Sequence, residues 1–157
     1  MELHELLTPE RIMIIDDVQT KKEDVLREIY RRCQSISGFK EHSDEIWVNL
    51  LEREKSMSTG IGLGIAIPHC STEFVTDVVA MLALVKNGVD FQAIDDIPVK
   101  IIILLLLPKN KFEKHIKTLA SVAKLFNDEK IRESILRAAE PAEIFHIIER
   151  ETKSAHM

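Results

Sequence analysis

Lys100-Ile101-Ile102-Ile103-Leu104-Leu105-Leu106-Leu107-Pro108 is the stretch on which the fold turns. Seven apolar residues in a row lie between a lysine and a proline. A membrane helix needs about 20 such residues. Extending the window backwards meets Lys100, Asp96, Asp95 and Asp90, so a transmembrane span is not expected. A short, partly β-branched run between breakers fits a strand buried on both faces, here Val99 to Leu107. A strand of that kind needs helices on either side.

The flanking sequence supplies them. Downstream, Ile116, Leu119, Ala123 and Phe126 recur at helical spacing, which predicts a helix from Phe112 to Phe126. Helices over Glu129 to Ala138 and Pro141 to Glu149 follow, and Pro141 suits a first helical turn. The tail from Thr152 is polar and reads as frayed. Upstream, Val78 to Val85 reads as another strand, and Asn87-Gly88 is a hairpin-turn signal. Near the N-terminus, Ile12 to Ile15 is a first strand. Thr20 and Glu23 then form a capping box ahead of the stripe Val25, Leu26, Ile29, Tyr30 and Cys33, a helix that Gly38 ends. Ser43 caps a second helix with Ile46, Trp47, Leu50 and Leu51 on its apolar side and Arg53 near its end. Alternating strands and helices give an α/β fold: one domain with a mixed, mostly parallel central β-sheet flanked by helices on both faces.

The 157 residues are enough for one sizeable core. A composition of 45% hydrophobic and 30% charged residues is that of a globular chain. With a net charge of −5 and 5% aromatic residues, no nucleic-acid partner is expected. The two cysteines, Cys33 and Cys70, form no CxxC pair and fit a reducing compartment. Met1-Glu2-Leu3-His4-Glu5 lacks the start of a signal peptide, so the expected location is cytoplasmic.

The chemistry concentrates in Gly60-Ile61-Gly62-Leu63-Gly64-Ile65-Ala66-Ile67-Pro68-His69-Cys70. Three of the five glycines fall within five residues. A permissive loop leads through Gly64 to Pro68, read as a strand, and presents the imidazole of His69 at the strand end. Histidine titrates near neutrality and can act as a covalent nucleophile. No Gly-Lys-Ser/Thr follows the glycines, which excludes a Walker loop. The segment runs into Pro68 instead of opening a helix, which excludes a dinucleotide fingerprint.

The stretch from Leu50 to Cys70 resembles the signature of the fructose/mannitol-type enzyme IIA domains of the bacterial phosphoenolpyruvate-dependent sugar phosphotransferase system, including their nitrogen-regulatory branch. Leu51-Glu52-Arg53-Glu54, Ser58-Thr59-Gly60-Ile61-Gly62 and Gly64-Ile65-Ala66-Ile67-Pro68-His69 carry it. Val89-Asp90-Phe91, Ile97-Pro98-Val99 and His115-Ile116 continue it more loosely. It covers nearly the whole chain, placing the domain at residues 1–151 and a tail at 152–157.

The resemblance implies that His69 accepts a phosphoryl group from the phosphohistidine carrier HPr and passes it to an enzyme IIB. It implies that His115 supports the acceptor and that Arg53 accompanies the phosphoryl group. Thr59, Gly60, Gly62 and Gly64 would form a phosphoryl-binding loop whose amides add donors. No metal and no cofactor is required. At Leu63, where many relatives carry a polar residue, often asparagine, this chain departs from the pattern.

Alternative readings stand beside these. Arg53 also suits a helix C-terminal dipole. His115 sits at the edge of an apolar stripe, where a satisfied core histidine is common. Cys70 reads as a buried filler. Lys109, Lys111, Lys114 and Lys117 read as a solvated face or a docking patch, and Asp16-Asp17 and Asp95-Asp96 as turn residues. The chain shows no enzyme IIB module and no transport helices, so contact with a membrane transporter would be peripheral. A regulatory protein whose phosphorylation state selects its partner is the alternative to sugar transport. A non-catalytic binding domain is a third possibility.

Overall fold

In a computed structural model describing residues 2–16, 21–37 and 41–154, the chain passes through α1 (Leu3–Leu6), a 3-10 turn (Pro9–Arg11), β1 (Ile12–Ile15), α2 (Lys22–Ser37) and α3 (Ser43–Ser56). There follow β2 (Gly60–Gly62), β3 (Ile65–Ala66), β4 (His69–Thr72), β5 (Val79–Val89) and β6 (Val99–Pro108). Three helices complete it: α4 (Phe112–Phe126), α5 (Glu129–Leu136) and α6 (Pro141–Ser154). Thr20 and Gly38, read above as helix signals, lie outside the described residues.

The strands form one sheet in the order β1-β5-β6-β3-β2, with β4 also on β6. β1 pairs with β5, and β3 and β4 with β6, in parallel; β5 with β6 and β2 with β3 are antiparallel. The apolar run is therefore the strand on which the sheet is organised. From Ile101 to Leu107 every side chain is buried.

Alternation along β6 feeds two cores. Ile101, Ile103, Leu105 and Leu107 pack with Val122, Phe126, Ile135, Ile144 and Ile148 from α4, α5 and α6. Ile102, Leu104 and Leu106 pack with Leu26, Ile29, Ile46 and Leu50 from α2 and α3. Burying a leucine or isoleucine side chain stabilises by about 1.5–3 kcal/mol, so a polar residue on either face of β6 would be costly.

Local readings differ at four places. Gly64 to Pro68 is not one strand: β3 ends at Ala66, and Pro68, without an N–H, interrupts the edge before the chain pairs again with β6 at His69. His69 thus opens a strand instead of following one. Asn87-Gly88 lies in a β-bulge within β5, and the chain reverses only after Val89. Gly88 has φ +74°, so the signal for left-handed backbone was real but served a bulge. Ser43 is the first residue of α3, not its cap; His42 holds that position without a side-chain capping bond, and the Ser43 carbonyl accepts from the Tyr30 hydroxyl. Finally, α6 continues through Thr152, which is buried and donates to the Ile148 carbonyl at 2.6 Å, where a frayed tail was expected.

Among the described residues no helix is long and apolar enough to cross a membrane.

Candidate functional site: a histidine at the head of β4

The glycine segment is a tight hairpin. β2 and β3 pair through Gly60 with Ala66 and Gly62 with Ile65, and the turn Gly62-Leu63-Gly64 has φ of +92°, +60° and +78°. The Asp95 carboxylate accepts from Leu63 N–H (2.9 Å) and Ile97 N–H (3.1 Å), tying the tip to the loop between β5 and β6. These two backbone bonds hold the Asp95 carboxyl below its ordinary pKa. Asp95 is thus a turn residue.

His69 follows Pro68 directly and opens β4. Its Nδ1 lies 2.7 Å from the Ile67 carbonyl oxygen. A carbonyl can only accept, so Nδ1 carries the proton and Nε2 holds the free lone pair. The Ile67 N–H in turn donates to the Thr59 carbonyl at 3.1 Å. Burial pushes the His69 pKa down, the bond to Ile67 opposes that, the Arg53 charge lowers it further and the Glu54 charge raises it. The net direction is down, which keeps the ring neutral at physiological pH and its Nε2 nucleophilic.

Arg53 is in the last turn of α3. One guanidinium N–H donates to the Met57 carbonyl at 2.9 Å, so the side chain closes its own helix end while its charge reaches His69. The helix-end reading of this residue is therefore realised in the bond to Met57. His115 lies in the first turns of α4, which leaves the end of β6 beside β4. It is 4% exposed, and its Nε2 is buried without a hydrogen-bond partner. Its pKa is lowered by burial. No protein group supplies this ring nitrogen with the partner that a buried polar atom ordinarily has. No hydrogen bond joins it to His69.

Of the four residues expected to form a phosphoryl-binding loop, two have their amides engaged within the fold. Thr59 N–H is held by Glu54 and Gly60 N–H by the Ser58 hydroxyl, at 3.1 Å each. Gly62 and Gly64 shape the hairpin tip, where Gly64 O accepts from Lys100 N and Ile101 N. The glycines build the hairpin; the amides of Thr59 and Gly60 are already engaged within the fold.

Sequence reasoning gave Glu54 no role and overlooked Lys22. Glu54 is 4% exposed and pairs with Lys22 Nζ at 2.9 Å. Its signal was present: Ile46, Leu50 and Glu54 recur every four residues, which puts a carboxylate on the core-facing stripe of α3. Cys70 is buried, and burial pushes its thiol up to about 12, which makes it inert. No cluster of potential metal ligands occurs among the described residues.

Comparison with known proteins identifies the family of the chain. The model of the family described as phosphoenolpyruvate-dependent sugar phosphotransferase system, EIIA 2, matches residues 5–151. A nitrogen regulatory protein of Bradyrhizobium diazoefficiens is 31% identical over 148 residues, 94% of each chain. A fructose-specific EIIA component of Haloferax volcanii is 31% identical over 132 residues, 84% of this chain and 85% of that protein. Among solved structures, the nitrogen regulatory protein IIA-Ntr of Neisseria meningitidis superposes with a TM-score of 0.83 at 28% identity, covering 93% of this chain and 98% of that one.

Proposed function

This chain belongs to the EIIA 2 family of the phosphoenolpyruvate-dependent sugar phosphotransferase system, and we propose that His69 is its phosphoryl acceptor. Proteins of this family are phosphotransferases that relay a phosphoryl group through histidine. The observation that carries the assignment is the bond from Nδ1 to the Ile67 carbonyl, which leaves Nε2 unprotonated on a neutral ring.

The step proceeds as follows. The Nε2 lone pair attacks the phosphorus of a phosphohistidine on HPr, in line with the donor nitrogen. A new N–P bond forms while the old one breaks, and its electron pair returns to the donor ring. The protein has little covalent chemistry to perform beyond positioning and charge stabilisation. The Nδ1 proton stays on His69, where the Ile67 carbonyl supports the positive character the ring gains. Arg53 supplies guanidinium donors to the phosphoryl oxygens, and His115 Nε2 gains in the phosphorylated state the partner that it otherwise lacks. Reversal against an enzyme IIB passes the group on. The reaction takes place in the cytoplasm and uses neither metal nor cofactor.

A regulatory role is the second reading, favoured by the likeness to nitrogen regulatory proteins over nearly the full length of both chains. In that role the doubly charged group on His69 changes which partner binds the surface around β4. Incubation with phosphoenolpyruvate, enzyme I and HPr tests the shared step: intact mass rises by one phosphoryl group, carried by the His69 peptide. An unmodified His69 with active carriers overturns it.

A further inference from the structure

Behind His69 lies a chain of polar contacts that begins on a different helix. Lys22, at the start of α2, donates to Glu54 Oε1 at 2.9 Å and to the Phe91 carbonyl at 3.2 Å, with its ammonium 4.8 Å from the centre of the Phe91 ring. Glu54, at the end of α3, accepts twice from one residue: Thr59 N–H at 3.1 Å on Oε1 and the Thr59 hydroxyl at 2.6 Å on Oε2. The Thr59 carbonyl then accepts from Ile67 N–H at 3.1 Å, and the Ile67 carbonyl accepts from His69 Nδ1 at 2.7 Å. The Ser58 hydroxyl adds a bond to the same Phe91 carbonyl that Lys22 uses. The links run from α2 through α3 and the segments flanking the hairpin to β4, and the last fixes the tautomer of the imidazole.

We propose that Glu54, held by Lys22, is a positioning residue for the phosphoryl acceptor: it anchors Thr59 and thereby aims the Ile67 carbonyl at His69 Nδ1. The inference rests on the assignment of His69 as acceptor and deepens it.

Pro68 explains why an outside anchor is needed. It breaks the edge between β3 and β4: β6 bonds the Pro68 carbonyl, through Leu105 N–H at 2.9 Å, and leaves the Ile67 carbonyl to His69. Ile67 is held instead from the other side, by Thr59. Thr59 precedes a hairpin whose tip is exposed, and a flexible support would let the carbonyl tilt away from Nδ1. A buried carboxylate that takes both the amide and the hydroxyl of Thr59 removes that freedom. A charged group on the core-facing stripe of α3 is costly unless paired and hydrogen-bonded, and here it is both. An apolar residue at position 54 would fill the core more cheaply, but it would offer Thr59 nothing. If the ring turns to its other tautomer, the proton sits on Nε2 and the nucleophile is lost.

Long-range nitrogen–proton NMR of the His69 ring in full-length protein reads the tautomer directly, without any phosphoryl donor. Wild type should show the proton on Nδ1. In Glu54→Ala the folded protein should show a mixture of the two tautomers. Acceptance from phospho-HPr should fall about tenfold to a hundredfold, the scale set by misplacing a reacting group. Glu54→Gln, which keeps an acceptor for the Thr59 amide, should restore most of both readouts. If Glu54→Ala does not fold, Thr59→Ala removes only the hydroxyl arm and should move the tautomer in the same direction. A wild-type tautomer in the folded variants overturns the proposal, even if their stability has dropped. Failure of wild type to accept phosphate would overturn the acceptor assignment and leave the tautomer result to stand by itself.

Discussion

His69 Nδ1 lies 2.7 Å from the carbonyl oxygen of Ile67, two residues earlier in the chain and on the far side of a proline. The bond puts the proton on Nδ1 and, for the acceptor role proposed above, makes Nε2 the reacting nitrogen. It also makes the imidazole a nucleophile with a supported back, because positive charge arriving on the ring strengthens the contact. The donor and acceptor residues flank Pro68, so the sequence Ile-Pro-His brings them within reach of each other, between β3 and β4 on β6.

The pH dependence follows from burial. The His69 pKa is lowered below its ordinary value of 6.5. Acceptance from HPr should therefore stay level as pH falls through 6.5 and decline only beneath the lowered value. His115 is lowered too. For both residues the unfolded chain binds more protons in the window between the folded pKa and 6.5. Stability is then fully present above that window and is lost as pH falls through it. Titration of the two ring C–H resonances, beside urea melts at several pH values, reads both effects. A His69 midpoint at or above 6.5 contradicts this.

Arg53 should matter for transfer more than for stability. In the role proposed above, Arg53→Gln removes a guanidinium fork from the phosphoryl group; it also removes one helix-end bond, to Met57. Acceptance should drop about tenfold to a thousandfold, as for loss of an electrostatic donor, with a stability change of about 1 kcal/mol or less. Arg53→Lys should recover little, because a point charge does not reproduce the fork. Single-turnover transfer measures this, and full activity in the lysine variant would argue against a bidentate role.

His115 sets function against stability. A buried ring nitrogen without a partner costs about 1–3 kcal/mol, and Nε2 of His115 is such an atom. His115→Leu should leave stability unchanged or raise it by up to about 2 kcal/mol, while slowing phosphoryl acceptance. Chemical denaturation and transfer assays on one sample decide it. A variant that is both much less stable and fully active would mean that His115 is only a packing residue.

The hairpin carries two opposite backbone tests. Leu63 is 51% exposed and has φ +60°, a conformation that costs a side chain of its type about 1–2 kcal/mol. Leu63→Asn should stabilise the fold by about 0.5–1 kcal/mol, since asparagine tolerates that region and little apolar burial is lost. Gly60→Ala should do the reverse. A Cβ there would sit 2.8 Å from the Ala93 Cβ and 3.1 Å from its Cα, so backbone must shift, at about 1–3 kcal/mol. Urea midpoints measure both.

The sequence revealed most where one physical rule acted alone. The run of seven apolar residues between a lysine and a proline fitted a strand buried on both faces, and β6 is that strand. It revealed least where two rules competed. Asn87-Gly88 signalled left-handed backbone, which a turn and a bulge use equally well, and only the pairing of Val89 with Val99 distinguishes them. The glycines signalled tight backbone, but side chains decided what the amides of the segment do: the neighbouring Ser58 for Gly60, and the distant Asp95 for the Leu63 between Gly62 and Gly64. The histidine was legible because proline and glycine frame it. The Lys22–Glu54 pair was not, because its partners lie on separate helices and meet only after folding.

The central claim is that Nε2 of His69 takes the phosphoryl group, and the most direct measurement is nitrogen and phosphorus NMR of the protein phosphorylated through phosphoenolpyruvate, enzyme I and HPr. The account predicts one acid-labile phosphohistidine, at position 69, with phosphorus coupled to Nε2 and the proton retained on Nδ1. Phosphate on Nδ1, on another residue, or on none while the carriers are active would contradict it.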